Sequence, residues 1–302
     1  GVIFGLSWLV TFYGTYERED LNTPISITLK EWLSVFQNKS FNTFIVIFIS
    51  FQVAVDLMLA LFIFYVDIVL LRYKSYELIM GLLLVFQMVF MALNGAIAKR
   101  KGKAFPLYLG MPIWILASLA FMFIDSSTSL ILICVLAVLI AFGASAGNLS
   151  TWSMITDIYD VDEIMTRQRR EGIYSGLTTF LRKCASGFAV LILGFGLQGM
   201  GFDQNEYNML KEQSAHFDPA TYAETGIVQG IKWMFVLIPI ALLTITLIFA
   251  FRYKLNAKRF DILLKGIELY KKEGNLDKMP SEEKEDIKII TGKEIDQLWK
   301  TQ

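Results

Sequence analysis

Histidine and cysteine are nearly missing from this chain, and their scarcity removes whole classes of chemistry. The single histidine, His216, lies in a polar stretch, which argues against a histidine-based metal site. Cys134 and Cys184 both sit inside apolar runs, with no C-x-x-C spacing and no disulfide framework, and read as packing residues. A surplus of either charge is missing too. With 28 basic residues balancing 28 acidic ones, nothing draws the chain in bulk to nucleic acid. No phosphate-cradling glycine loop, nucleophile elbow or H-E-x-x-H motif occurs, so the sequence predicts no enzyme, no catalytic residue and no resident metal or cofactor.

What is present is apolar length. Over 302 residues, 55% are hydrophobic, and the mean hydropathy of +0.50 lies outside the range of an ordinary soluble globule. Six apolar runs approach or exceed the length needed to cross a bilayer: 43–71, 77–98, 104–124, 129–155, 173–200 and 227–252. The sequence therefore predicts an all-α, polytopic membrane protein with the lipid bilayer as its first partner. A shorter run, 2–13, follows an initial Gly and lacks the basic start and small-residue cleavage site of a signal peptide. It reads as the end of a helix whose beginning is elsewhere, so the expectation is a fragment of a longer protein. Residues 14–42 then form a connecting loop, 43–252 a six-helix bundle and 253–302 a polar tail.

Basic residues divide unevenly between the span ends. The segments 14–42, 99–103, 157–172 and 252–272 carry 17 Lys and Arg, whereas the other ends carry 3: Arg72, Lys74 and Lys211. The positive-inside rule makes the first set cytoplasmic. Within the tail, Phe260, Leu263, Leu264, Ile267 and Tyr270 share a face of a basic amphipathic helix. That helix either lies on the membrane surface or packs on cytoplasmic loops. Beyond Gly274 the repeated Glu and Lys read as a solvated, partly disordered end.

Polar residues within the spans are few (Gln52, Asp56, Gln87, Asn94, Asn148, Arg182 and Lys183), and Lys183, Asp56 and Asn148 are the candidate site residues. Lys183 is embedded in the fifth run, where an uncompensated ammonium costs several kcal/mol. It either lines a polar cavity or pairs structurally with Asp56 or another acid. Asp56 sits near the middle of the first run, where function and structural pairing are equally good readings, and Asn148 lies in the fourth. Gly143-Ala-Ser-Ala-Gly147 reads as a helix-packing patch, and Gly194, Gly196, Gly199 and Gly201 read the same way. Between the fourth and fifth runs, Asp157, Asp160 and Glu163 recur every third residue and are followed by Arg169 and Glu171. On a helix the three acids share one face. Such charge density fits an inner gate whose ion pairs hold one conformation and part in another.

The pattern Asp157-x-x-Asp160-x-x-Glu163-x-x-Thr166-x-x-Arg169-x-Glu171-Gly172, followed by Lys183, resembles the signature of the glycoside–pentoside–hexuronide:cation symporters. These form the melibiose-carrier branch of the major facilitator superfamily. Asn38-Lys39-Ser40-Phe41 resembles the start of that family's seventh helix, and Lys99-Arg100-Lys101-Gly102-Lys103 its basic loop between helices eight and nine. Departures are Val161 in place of an aromatic, Arg167 in place of a glycine, and Asn148 in place of a tryptophan that lines the sugar site.

The resemblance implies a six-helix C-terminal half of a twelve-helix transporter, with residues 1–13 ending helix six. It implies cation-coupled (Na+ or H+) symport of a sugar, glycoside or related solute across the cell membrane. The coupling cation would be bound mainly by the N-terminal six-helix half. Lys183 would be a cavity residue, and Asp157, Asp160, Glu163, Arg169 and Glu171 would form the cytoplasmic gate. Alternatives are a carrier of the same fold for a lysolipid or peptide, and a membrane sensor or scaffold that does not transport.

Overall fold

The computed structural model describes residues 2–14, 29–202 and 225–298. His216, Lys211 and the acids between Asp203 and Glu224 fall outside the described residues, as do residues 15–28 of the predicted loop 14–42, whose residues 29–34 and 39–42 are helical. The chain divides into two compact units, Gly1–Ser34 and Val35–Gln302. The first holds α1 (Val2–Gly14) and the short α2 (Leu29–Ser34).

In the second unit each predicted run is a helix: α3 (Lys39–Phe64), α4 (Tyr76–Lys101), α5 (Phe105–Phe121), α6 (Leu130–Thr166), α7 (Glu171–Gly199) and α8 (Thr225–Arg252). All regular structure among the described residues is helical. That is the expected answer for apolar chain, because in lipid each backbone N–H and C=O must be satisfied within its own segment. Five of the six are long and apolar enough to cross a membrane; α5, at 17 residues, is the short one. Local chemistry sets the ends. The Asn38 side chain accepts a hydrogen bond from the Phe41 N–H and so caps α3, and Pro106 occupies the first turn of α5, where its missing N–H costs nothing. α3 ends in a π-helical turn, Tyr65–Val69.

The core lies where α3, α5, α6 and α8 meet. Phe41, Phe44, Phe48, Phe51, Tyr65, Trp114, Phe121 and Phe235 are fully buried there. Small residues let the backbones approach. A Cβ on Gly147 would stand 1.9 Å from the Phe51 ring, and one on Gly143 would stand 2.6 Å from the Trp114 Cβ. The small-residue patch on α6 is thus a packing surface. Of Gly194, Gly196, Gly199 and Gly201, only Gly196 abuts a neighbour, Met234; the other three have nothing among the described residues within 4 Å of an added Cβ. α4 and α7 are peripheral, with most of their length uncovered. Cys184 is exposed on α7 and Cys134 half-buried on α6, so only the latter contributes to packing.

Two expectations are corrected. The charged stretch 157–172 is mostly not a loop: α6 runs to Thr166, three turns past its apolar part, and the turn proper is 167–170, opened by Arg167 in the left-handed region (φ 64°). At about 1.5 Å per residue a helix of 37 residues overshoots a ~30 Å hydrocarbon core, so its charged end stands clear of it. Nor are residues 275–298 of the tail disordered. α9 (Ala257–Glu273) and α10 (Ser281–Thr291) pack against the bundle. Ile262, Leu263 and Ile267 of α9, and Ile287 and Ile290 of α10, are buried. Most of the apolar face of α9 is therefore covered by protein, Leu264 excepted, with Gly266 set against Ile164 of α6. The Ser40 hydroxyl donates to the Ile290 carbonyl at 2.7 Å, tying α10 to the start of α3.

Candidate functional site

Two polar clusters form, one at mid-helix and one at the bundle end that carries the tail. At mid-helix, Asp56 of α3 faces α7. Its carboxylate lies 3.6 Å from Arg182 Nη2 and accepts a short hydrogen bond from the Ser186 hydroxyl. Arg182 and Ser186, four residues apart, share one face of α7. Lys183 points elsewhere: it is exposed and has no ion pair among the described residues. The expected alternative of a Lys183–Asp56 pair is therefore not formed, because one residue of helix turns a side chain by about 100°. Asn148 is half-buried on α6, and no hydrogen bond joins its side chain to Asp56 or Lys183. One turn further on, Trp152 is half-exposed and packs edge-on against Phe48 at 5.4 Å.

At the end of the bundle the charged residues sort into three groups. Asp157 pairs with Lys103 of the α4–α5 loop, whose ammonium also reaches the Thr156 hydroxyl at 3.1 Å and lies over the Phe260 ring of α9. Arg169, in the α6–α7 turn, faces Glu171 at 2.8 Å, Glu163 at 3.8 Å and Asp160 at 3.9 Å. Partial burial works against its charge, but the hydrogen bond and charge of Glu171, then Glu163 and Asp160, outweigh it and hold the guanidinium above its ordinary range. Glu163 is shared, since Lys271 of α9 binds it at 2.7 Å.

The third group was not foreseen. Arg170 grips Asp162 with both edges of its fork, Nε to Oδ2 at 2.8 Å and Nη2 to Oδ1 at 2.6 Å. The Tyr174 hydroxyl donates to the same carboxylate at 2.8 Å and accepts from the Asn38 amide at 3.3 Å. Asp162 is 1% exposed and Arg170 9%. Sequence periodicity selects Asp157, Asp160 and Glu163 and passes over Asp162, which lies on the inward side of the same turn. The Asn38 that caps α3 was the one signal pointing here. The five expected gate residues do gather at one end, with Asp157 bound to a different loop from the other four.

The family described as MFS/sugar transport protein matches residues 2–257. The chain belongs to this family. Its members are transporters rather than enzymes, and the all-α polytopic architecture is theirs. Among curated proteins the chain is 28% identical to an uncharacterized symporter of Synechocystis over 186 residues, which is 60% of this chain and 33% of the relative. It is 27% identical to the "Putative sulfoquinovose importer" of Salmonella typhimurium over 287 residues, 90% of this chain and 54% of the relative. The chain thus spans about half or less of the curated relatives it matches. The family and its symporter-named relatives agree with the melibiose-type resemblance read from Asp157 to Lys183.

Proposed function

We propose that this chain forms one bundle of a cation-coupled sugar symporter of the cell membrane, working by alternating access against a second six-helix bundle. The observation that carries this reading is Lys183, an ammonium without a counter-ion among the described residues, set in the largely apolar α7 of a sugar-transport family member, where the neighbouring Arg182 already takes Asp56. Such a charge is too costly to keep in lipid without a polar partner. The uncovered face of α7 would meet the second bundle, with Lys183, Asp56 and Asn148 at the cavity between them. The end bearing Asp157, Asp160, Glu163, Arg169 and Glu171 would be the cytoplasmic gate, as its basic excess favours. Na+ or H+ would be the coupling cation, bound mainly by the other bundle. Arg182 and Lys183 together outnumber Asp56, and that local excess of positive charge suits a sugar bearing an anionic group. The name of the Salmonella relative, an importer of a sulfonated sugar, points the same way.

Uptake in whole cells expressing the full-length protein tests this, using labelled neutral galactoside, hexuronide and sulfonated hexose under Na+ and pH gradients. We expect gradient-driven accumulation, strongest for the acidic sugars, and its loss in Lys183→Ala at normal amounts of folded protein. Lys183→Arg is expected to be crippled as well, because a planar fork does not replace a compact ammonium. Gradient-independent uptake, or normal uptake by Lys183→Ala, would refute the assignment.

A further inference from the structure

We infer that Arg182 is a positioning residue that pins the middle of α7 against α3 and thereby sets where the Lys183 ammonium projects. The inference rests on the reading of Lys183 given above. α7 is anchored at both ends. Ile173, Tyr174, Leu177 and Thr178 are buried near its start, and Ala189, Leu193 and Leu197 toward its finish. Between them, from Thr179 to Phe188, no residue is buried. Over those turns the contacts of α7 with α3 that involve polar side chains converge on one acid: Arg182 and Ser186 both address Asp56. Where apolar packing is thin, an ion pair with a hydrogen bond beside it decides the helix rotation. The residue next to Arg182 inherits that rotation at about 100° to it.

The pin is built to be released. The Arg182–Asp56 contact is 3.6 Å long, both side chains are about one-third exposed, and the Arg182 Nε has no hydrogen-bond partner among the described residues. A guanidinium held by one edge at that distance is a weak tie compared with the two-edged Arg170–Asp162 pair. Parting it leaves the Ser186–Asp56 hydrogen bond as the one polar contact at the centre of α7 among the described residues, and disturbs neither anchored end. The mid-helix acid thus acts on Lys183 indirectly, through Arg182 and the helix, rather than as its counter-ion.

Cys184, exposed and adjacent to Lys183, supplies a readout independent of transport. In membranes carrying the full-length protein with every cysteine but Cys184 replaced by serine, Cys134 included, the maleimide alkylation rate of Cys184 would be measured. The variants are Arg182→Ala, Asp56→Ala and the exchange Asp56→Arg/Arg182→Asp, with Arg182→Gln used if the alanine variant fails to accumulate. We expect both single variants to change the rate about fivefold or more, the lower end of typical coupling between sites. The exchange should restore it, and sugar KM should move in parallel while folded protein is unchanged. Wild-type alkylation rates in the single variants, or an exchange that restores nothing, would overturn the inference. Should the wild-type protein take up no sugar, the symporter reading fails while the alkylation arm still decides whether the pin exists.

Discussion

At the scale of single residues, neighbouring arginines in the α6–α7 turn have opposite physics. Arg169 is 56% exposed and shared among three acids, whereas Arg170 is nearly enclosed and closes a fork on an Asp162 that water cannot reach. Removing Arg170 leaves a buried carboxylate with the Tyr174 hydroxyl as its remaining hydrogen-bond donor among the described residues. We expect Arg170→Ala to cost about 3–5 kcal/mol, typical of breaking a buried pair from one side. Arg169→Ala should cost about 0–1 kcal/mol, as exposed pairs do. Thermal unfolding of the detergent-solubilised variants checks the contrast, and equal losses would refute it. Arg169→Ala should instead shift the gate toward opening on its own side. Cavity cysteines would then label from that side roughly five- to 150-fold faster; unchanged labelling would remove Arg169 from the gate. Asp162 shows what sequence reasoning misses: spacing by threes identifies a helical face but does not say which face is buried.

At the scale of elements, the contact of α3 with α6 depends on the absence of a side chain. A methyl at position 147 would occupy the Phe51 ring, and the ring is held by the Trp114 edge at 6.1 Å between centroids. We expect Gly147→Ala to destabilise by about 1–3 kcal/mol through overpacking. Gly194→Ala should cost no stability and add up to about 1 kcal/mol, since nothing among the described residues lies within 4 Å of its added carbon and alanine loses less backbone freedom in a helix. The melting temperatures of the two variants decide this. Both glycines looked alike in the sequence, as members of small-residue clusters. The difference lies in the neighbour: Gly147 faces the aromatic core, whereas Gly194 sits on the uncovered side of α7.

At the scale of the whole second unit, the tail belongs to the fold. α9 and α10 bind the end of α6 through Lys271–Glu163 and the Tyr270 ring under Arg167, and bind the start of α3 through Ser40. Deleting residues 254–302 uncovers Ile164 and frees Glu163 from one of its two cations. We expect the truncated protein to accumulate, to melt at lower temperature and to be cut by trypsin at Arg167–Arg170 faster than the intact protein. Equal cleavage rates would show the tail to be an independent appendage. The two ends of the bundle also differ in charge. The opposite end joins 70–75 to 122–129 through Arg72, which donates to the Thr128 carbonyl at 2.8 Å. Cysteines introduced at 126 and 210 should be labelled from outside intact cells and one at 168 should not. The reverse pattern would invert the membrane orientation.

The sequence by itself determined the number of the apolar helices, the family, the grouping of charge between α6 and α7, and the expectation that an intramembrane lysine matters. These follow from composition, length and spacing, which are local properties of the chain. It could not say that Arg182 rather than Lys183 would face Asp56, that Arg170 would be buried and Arg169 exposed, or that the Glu- and Lys-rich end would dock through Ile287 and Ile290. Each of those depends on the rotation of one helix about its axis relative to another. A turn of about 100° per residue exchanges a buried side chain for an exposed one. That rotation is fixed by packing among α3, α6 and α7, residues far apart in the chain, and only the assembled bundle decides it.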